Sequence, residues 1–235
     1  MDRRESSLLA GIPAGTSGVP LLRRMPRAVA EEVLSQGRRY DVAPDQPVPM
    51  WESANCFYVV LSGCIKLTRL EEDGGQLVLE LLGPGAHFSA SDLGSPGERS
   101  YLAAGLTAAA VGAWSNDAMA RLMGRHPRLA LNAAEDLDHQ LKVAYRRIAE
   151  LAADRVEVRL ARAVLKLADL LGTREGQKVL LDLPLSREDV AMMAGTTLYT
   201  VSRVMSGWAR DGLVKLGRRR IEILRYDRLA ALISG

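Results

Sequence analysis

Cysteine is nearly absent from this chain: Cys56 and Cys64 are the only two among 235 residues. Two thiols cannot build the multi-bridge framework that small secreted folds rely on, so both are expected as free thiols in a strand region, in a reducing compartment. Long apolar runs are missing as well. Met1 to Gly15 contains no continuous apolar segment of the kind a secretory signal needs. The uncharged stretch Ser100 to Asn116, which no other exceeds in length, is rich in Ala and Gly and is interrupted by Thr107, Ser115 and Asn116, which suits a membrane span poorly. Neither export nor a membrane partner is expected, and the cytoplasm is the expected location. Strong charge of one sign is the last absence. A net charge of +3 does not by itself announce a polyanionic partner, so only its distribution is informative.

What the chain does have is 48% hydrophobic and 25% charged residues, ordinary values for a globular protein with a real core. Residues 1–20, with Gly11, Pro13, Gly15, Gly18 and Pro20 among small polar neighbours, read as a loose arm. Leu21 to Gln36 carries a weak helical pattern. From Tyr40 to Trp114 short apolar runs (Phe57 to Leu61, Ile65 to Leu67, Leu77 to Leu82, Leu102 to Trp114) alternate with turn signals at Pro44, Ser62-Gly63, Asp73-Gly74-Gly75, Gly83-Pro84-Gly85 and Gly94 to Gly97. Short strands at such spacing predict an all-β sandwich or barrel, with Asp73-Gly74 as the clearest hairpin turn.

The period then changes. Ser115 is a plausible N-cap with Asp117 in the first turn. Beyond Pro127, apolar residues fall at Ala130, Ala134, Leu137, Leu141, Ala144, Ile148 and Leu151, alternating steps of four and three. Charged residues flank this narrow stripe, which predicts a helix pairing with the same helix of a second copy. The alternative is a single amphipathic helix packed on its own domain. Another helix, Val156 to Leu171, is expected to stop at Gly172.

The richest segment lies further on. Between Leu185 and Arg225 stand eight Lys and Arg against four Asp and Glu. Ser186 and Asp189 are spaced as a capping box that opens a short helix with Val190 and Ala194 facing inward. Gly195 permits a tight turn, and Thr196 or Thr197 caps a second helix with Val201, Val204, Met205 and Trp208 on its apolar face. The opposite face presents Leu198, Tyr199, Ser202, Arg203 and Ser206, a mixture suited to base edges and phosphates in a major groove. Arg203 is the expected bidentate partner of guanine, and Leu198 and Tyr199 are the expected contacts to thymine methyls. Two short strands around the basic turn at Arg218, Arg219 and Arg220 form a wing for the phosphate backbone. Ser186, Arg187, Thr196, Thr197, Thr200 and Lys215 complete the expected contact set on double-stranded DNA.

These residues carry a resemblance. Phe57-Tyr-Val-Val-Leu-Ser-Gly-Cys-Ile-Lys-Leu-Thr-Arg, the Gly83-Pro-Gly turn, Glu98-Arg-Ser, the long seam helix and Leu185 to Leu224 together resemble the Crp/Fnr family of bacterial transcription regulators. The resemblance implies an α+β protein: a flexible arm (1–20), a cyclic-nucleotide-binding-like jelly-roll sensor barrel (21–125), a dimerisation helix (126–154) and a winged helix-turn-helix (155–235). It also implies a homodimer on a two-fold operator, with half-sites about one DNA turn, ~34 Å, apart, and RNA polymerase as a further partner. An effector pocket is implied at His87, Phe88, Ser89, Ser91, Arg99 and Ser100. Cyclic-AMP-binding members hold the phosphate through an Arg-Ser pair, present here as Arg99-Ser100, and the ribose through a Gly-Glu pair, for which His87-Phe-Ser-Ala-Ser-Asp offers no counterpart. Members with an iron–sulfur cluster use four cysteines, which excludes that cluster here. Gly195-Thr-Thr-Leu-Tyr-Thr-Val-Ser-Arg looks like the branch that responds to nitric oxide, in which haem is the suspected sensor. His87 is then the expected axial ligand, with His126, His139 and the two thiols as alternatives. Its plain alternative is a histidine without a ligand role.

Other classes compete with this reading. A cupin-type metal enzyme needs several barrel histidines and a carboxylate, and His87 is the barrel's only histidine. No nucleophile and base form a recognisable pair, so an enzyme is not expected. A non-sensing scaffold that contacts RNA polymerase or another protein, and a cyclic-nucleotide-responsive regulator, remain as rivals. For a sensor, the expected motion is a shift of the long helices around Ala153 to Arg155.

Overall fold

A computed structural model describes residues 19–49, 56–70, 76–89, 101–176, 178–182 and 185–234. The chain divides into two compact units, Met1–Lys142 and Val143–Gly235. The expected arm up to residue 18, the Asp73-Gly74 hairpin, the Gly94 to Gly97 turn, and Ser91, Arg99 and Ser100 lie outside the described residues.

In the first unit, a 3-10 turn at Pro20–Leu22 precedes α1 (Arg27–Ser35). Pro26 is the N-cap of α1, so the weak helical pattern of Leu21 to Gln36 becomes two pieces. Seven strands follow among the described residues: β1 (Arg38–Val42), β2 (Cys56–Ser62), β3 (Ile65–Leu70), β4 (Gln76–Leu82), β5 (His87–Ser89), β6 (Tyr101–Gly105) and β7 (Ala109–Ser115). They form two antiparallel sheets, in the orders β1-β7-β2-β5 and β4-β3-β6. The run Leu102 to Trp114 therefore contains two strands of different sheets, joined by three residues at 106–108.

Both faces of β2 are covered, which explains its unbroken apolar text. Tyr58 and Val60 join Ile65, Leu82, Phe88, Ala103 and Val111 in one core fed by both sheets. Val59 and Leu61 join Leu22, Val33, Trp114, Leu122 and Leu129 in a second core on the helical side. The Trp114 Nε1 donates to the Val33 carbonyl at 2.8 Å and so pins α1 to β7. Ser115 caps α2 (Asn116–Arg125), its hydroxyl accepting from the Ala118 N–H at 3.2 Å. Cys56 is half-buried and Cys64 buried, and neither is in a disulfide.

The long helix is α3 (Pro127–Ala153). At its start Leu129 and Asn132 are buried, and the Asn132 amide donates to the carbonyls of Leu21 and Arg23 at 2.8 Å each. In the second unit, α4 (Val156–Leu171) supplies the core through Leu160, Ala161, Val164, Leu167 and Ala168. Then come β8 (Thr173–Glu175), β9 (Lys178–Asp182), α5 (Arg187–Met193), α6 (Leu198–Arg210), β10 (Val214–Gly217), β11 (Arg220–Ile223) and α7 (Tyr226–Ser234). The wing is thus part of a four-stranded sheet ordered β10-β11-β9-β8.

Candidate functional site

The helix-turn-helix is specified residue by residue. Ser186 accepts from the Asp189 N–H at 3.0 Å while Asp189 Oδ2 accepts from the Ser186 N–H at 2.8 Å, a complete capping box at the start of α5. Gly195 has φ +60, a left-handed value that costs an L side chain roughly 1–2 kcal/mol and glycine little. Of the two candidate caps for α6, Thr197 is the one used: its hydroxyl accepts from the Thr200 N–H at 3.3 Å.

One face of α6 is held against its unit by Val201, Met205 and Trp208, all buried. The Trp208 indole donates to Glu157 of α4 at 2.9 Å. The other face is open: Tyr199 is 77% exposed and Leu198 47% exposed, Arg203 and Ser206 are exposed, and Ser202 is half-buried. Two large apolar side chains standing in water beside a free guanidinium are costly for a face with nothing to meet. Ser186, Arg187, Thr197, Lys215, Arg218, Arg219 and Arg220 are exposed, and Thr196 and Thr200 half-buried. Val214 to Gly217 pairs with Arg220 to Ile223, so the basic turn is Arg218-Arg219 and Arg220 belongs to β11. Arg219 takes a φ of +54 to close that turn.

The seam residues of α3 also lie open. Ala130, Ala134 and Ala144 are exposed, as are Leu137 (59%), Leu141 (52%), Ile148 (63%) and Leu151 (45%). The alternative of a stripe packed on its own domain is therefore not what is found within either unit.

Of the expected pocket residues, His87, Phe88 and Ser89 are described, and they follow one another along β5. Ala86 donates its N–H to the Gly83 carbonyl at 3.1 Å and Gly85 has φ +86, a type II turn with Pro84 and Gly85 at its centre. It sends β5 along β2, and neighbouring residues then face opposite ways. Phe88 stacks on Tyr58, with ring centroids 5.0 Å apart, in the core between the sheets. His87 turns the other way. It is buried, stacks on Phe57 at 5.1 Å, and meets two residues of α3. Asp136 Oδ2 lies 2.7 Å from Nδ1, off the N–H axis, so the pair is a close electrostatic contact without an aligned hydrogen bond. The Gln140 amide nitrogen lies 3.4 Å from Nε2. Ser89 is half-buried.

The expected axial haem ligand, His87, is thus lodged between Phe57 and the α3 residues Asp136 and Gln140. Of the alternatives, His126 is bound to Glu32 at 2.9 Å, while His139 is exposed on α3. Among the described residues, no group of three or more His, Cys, Asp or Glu could hold a metal ion, and no helix is long and apolar enough to cross a membrane.

Comparison with known proteins agrees with this two-part plan. Residues 51–126 match the cyclic nucleotide-binding domain model and residues 158–232 the Crp-like helix-turn-helix domain model. The chain is 30% identical over 218 residues to the cyclic AMP receptor protein of Thermus thermophilus, covering 92% of this chain and 96% of that one. It is 32% identical over 179 residues to the transcriptional regulator SdrP of the same organism, covering 74% and 82%. Its fold resembles the crystal structure of a CRP/FNR family transcriptional regulator, also from Thermus thermophilus, with a TM-score of 0.66 at 28% identity, over 85% of this chain and 94% of that one. These relatives are regulators and not enzymes. With a nucleotide-binding-type sheet unit ahead of a winged helix-turn-helix, the chain belongs to the Crp/Fnr family of DNA-binding transcription regulators.

Proposed function

We propose that this regulator binds a two-fold DNA operator as a homodimer, with α6 in the major groove and the Arg218-Arg219 turn on the phosphate backbone. The observation that carries the reading is the division of α6, with Val201, Met205 and Trp208 buried and Leu198, Tyr199 and Arg203 open to solvent. A groove-reading helix needs that division, because one face must fix its pose while the other stays free for bases. Arg203 reads guanine, Leu198 and Tyr199 meet thymine methyls, and Ser186, Arg187, Thr196, Thr197, Thr200, Ser202, Ser206, Lys215 and Arg220 supply the surrounding contacts.

Sites selected from randomised DNA by the wild-type chain test this. Arg203→Ala is expected to lose roughly 1–3 kcal/mol of discrimination at one base pair per half-site. Replacing Arg218 and Arg219 by Gln is expected to weaken binding to all sequences and flatten its salt dependence. Base preference unchanged in Arg203→Ala would overturn the placement of α6.

The signal is proposed to act on the N-terminal unit. A cyclic nucleotide is supported by the match of residues 51–126 and by the relative named a cyclic AMP receptor protein. Nitric oxide sensed through haem, with His87 as axial ligand, is the alternative signal. Operator affinity measured with cyclic AMP, and separately with haem and nitric oxide, separates these, since a true effector shifts it by about 1–3 kcal/mol. No response to either supports the second reading, a non-sensing scaffold that docks RNA polymerase or another protein.

A further inference from the structure

We infer that Arg159 is a positioning residue for the recognition helix: with Arg147 it locks the turn between α5 and α6 onto the end of α3, and so sets the half-site spacing that a dimer accepts. The inference rests on the proposed reading of α6 as the groove-entering helix of a two-fold dimer.

The observation is a clamp of carbonyls. Arg159, in the first turn of α4, donates from Nε to the Ala194 carbonyl at 2.9 Å, from Nη2 to the Gly195 carbonyl at 3.1 Å, and from Nη1 to the Asp154 carbonyl at 2.7 Å. Arg147, on α3, donates to the Met193 carbonyl. Three successive carbonyls at the close of α5 are thus covered by guanidinium groups from two other helices. A helix C-terminus presents such carbonyls without intrahelical partners and carries partial negative charge, so cations are favoured there. A second pair crosses the same joint: Arg162 Nε lies 3.2 Å from Asp154 Oδ2 and 3.6 Å from Glu150 Oε1. Packing adds to polarity, because a Cβ on Gly195 would stand 2.6 Å from Leu151 Cδ2 of α3.

These contacts span Ala153 to Arg155, the stretch around which the long helices are expected to shift. The last turns of α3, the start of α4 and the turn before α6 are therefore tied as one body within the second unit. A guanidinium fork donates from three separate nitrogens in a fixed plane and so holds carbonyls of two segments at a set separation, whereas an ammonium donates from a single atom. In a dimer whose axis runs along α3, the distance between the two copies of α6 then depends on this clamp.

The test uses the full chain and DNA carrying the selected two-fold site, with the half-sites moved apart or together by one and two base pairs, and also a single half-site. The wild type is expected to lose about tenfold or more in affinity on a two-base-pair change. Arg159→Gln is expected to shrink that penalty to about twofold, while sites reselected with this variant keep the same half-site sequence. Arg159→Lys is expected not to restore the penalty. A merely structural role would lower affinity for all spacings alike and leave the penalty in place, and that result overturns the inference. Should Arg159→Gln fail to fold, Arg147→Gln, which removes one bond of the clamp, carries the same test with the same two outcomes. If the wild type selects no two-fold site, the functional reading itself fails and the inference falls with it, a result distinct from a spacing penalty that survives the substitution.

Discussion

Single residues decide how the reading head is posed. Gly195 is the sharpest case, because it combines a left-handed backbone with Leu151 pressed against the place of its missing side chain. Gly195→Ala is expected to destabilise the second unit by about 1–2 kcal/mol, read as a lower midpoint in urea unfolding. Glu32 offers a pH-dependent counterpart in the first unit. The hydrogen bond from His126, and after it the Arg125 guanidinium, hold its carboxyl below the ordinary carboxylate value. A carboxylate lowered on folding stabilises above its unfolded value and loses that contribution as pH falls through its folded value. Thermal midpoints followed from pH 7 down through the carboxylate range, about 3–5, are therefore expected to fall more steeply for the wild type than for Glu32→Gln. At the same scale, the orientation of His87 was missed. Its neighbourhood in sequence grouped it with Phe88 and Ser89, whereas the alternation of β5 places His87 against α3 and Phe88 between the sheets.

At the level of elements, those with a strong period were legible and those without were not. The text Phe57 to Leu61 announced a strand, and the Ser186-to-Asp189 box and one of the two candidate threonines, Thr197, opened their helices where expected. The hairpin of β8 and β9 escaped because β8 is Thr-Arg-Glu, exposed at all three residues and without alternation. The boundary inside Leu102 to Trp114 escaped because both strands are apolar and their link is three residues long. The α3 stripe was readable from its spacing alone, and its exposure leaves Leu137, Leu141 and Ile148 with apolar surface to cover. Leu141→Glu replaces one such side chain in each copy. Its expected effect is a loss of roughly 3 kcal/mol, about a hundredfold in the dimer dissociation constant, measured by sedimentation equilibrium.

For the whole molecule, a unit that matches the cyclic nucleotide-binding domain and a helix-turn-helix unit are joined in sequence through α3, and a symmetric pair of such chains would present two copies of α6 to one duplex. Charge follows this division: Leu185 to Arg225 carries a basic excess, while the remainder is close to neutral. Association with DNA should accordingly weaken with salt through the second unit alone. The central claim is that two chains read two symmetric half-sites. Footprinting of the wild-type chain on its selected DNA, with the stoichiometry measured on the same complex, tests it most directly. The account predicts two protected half-sites about 34 Å apart under two chains, and one asymmetric site covered by one chain would contradict it.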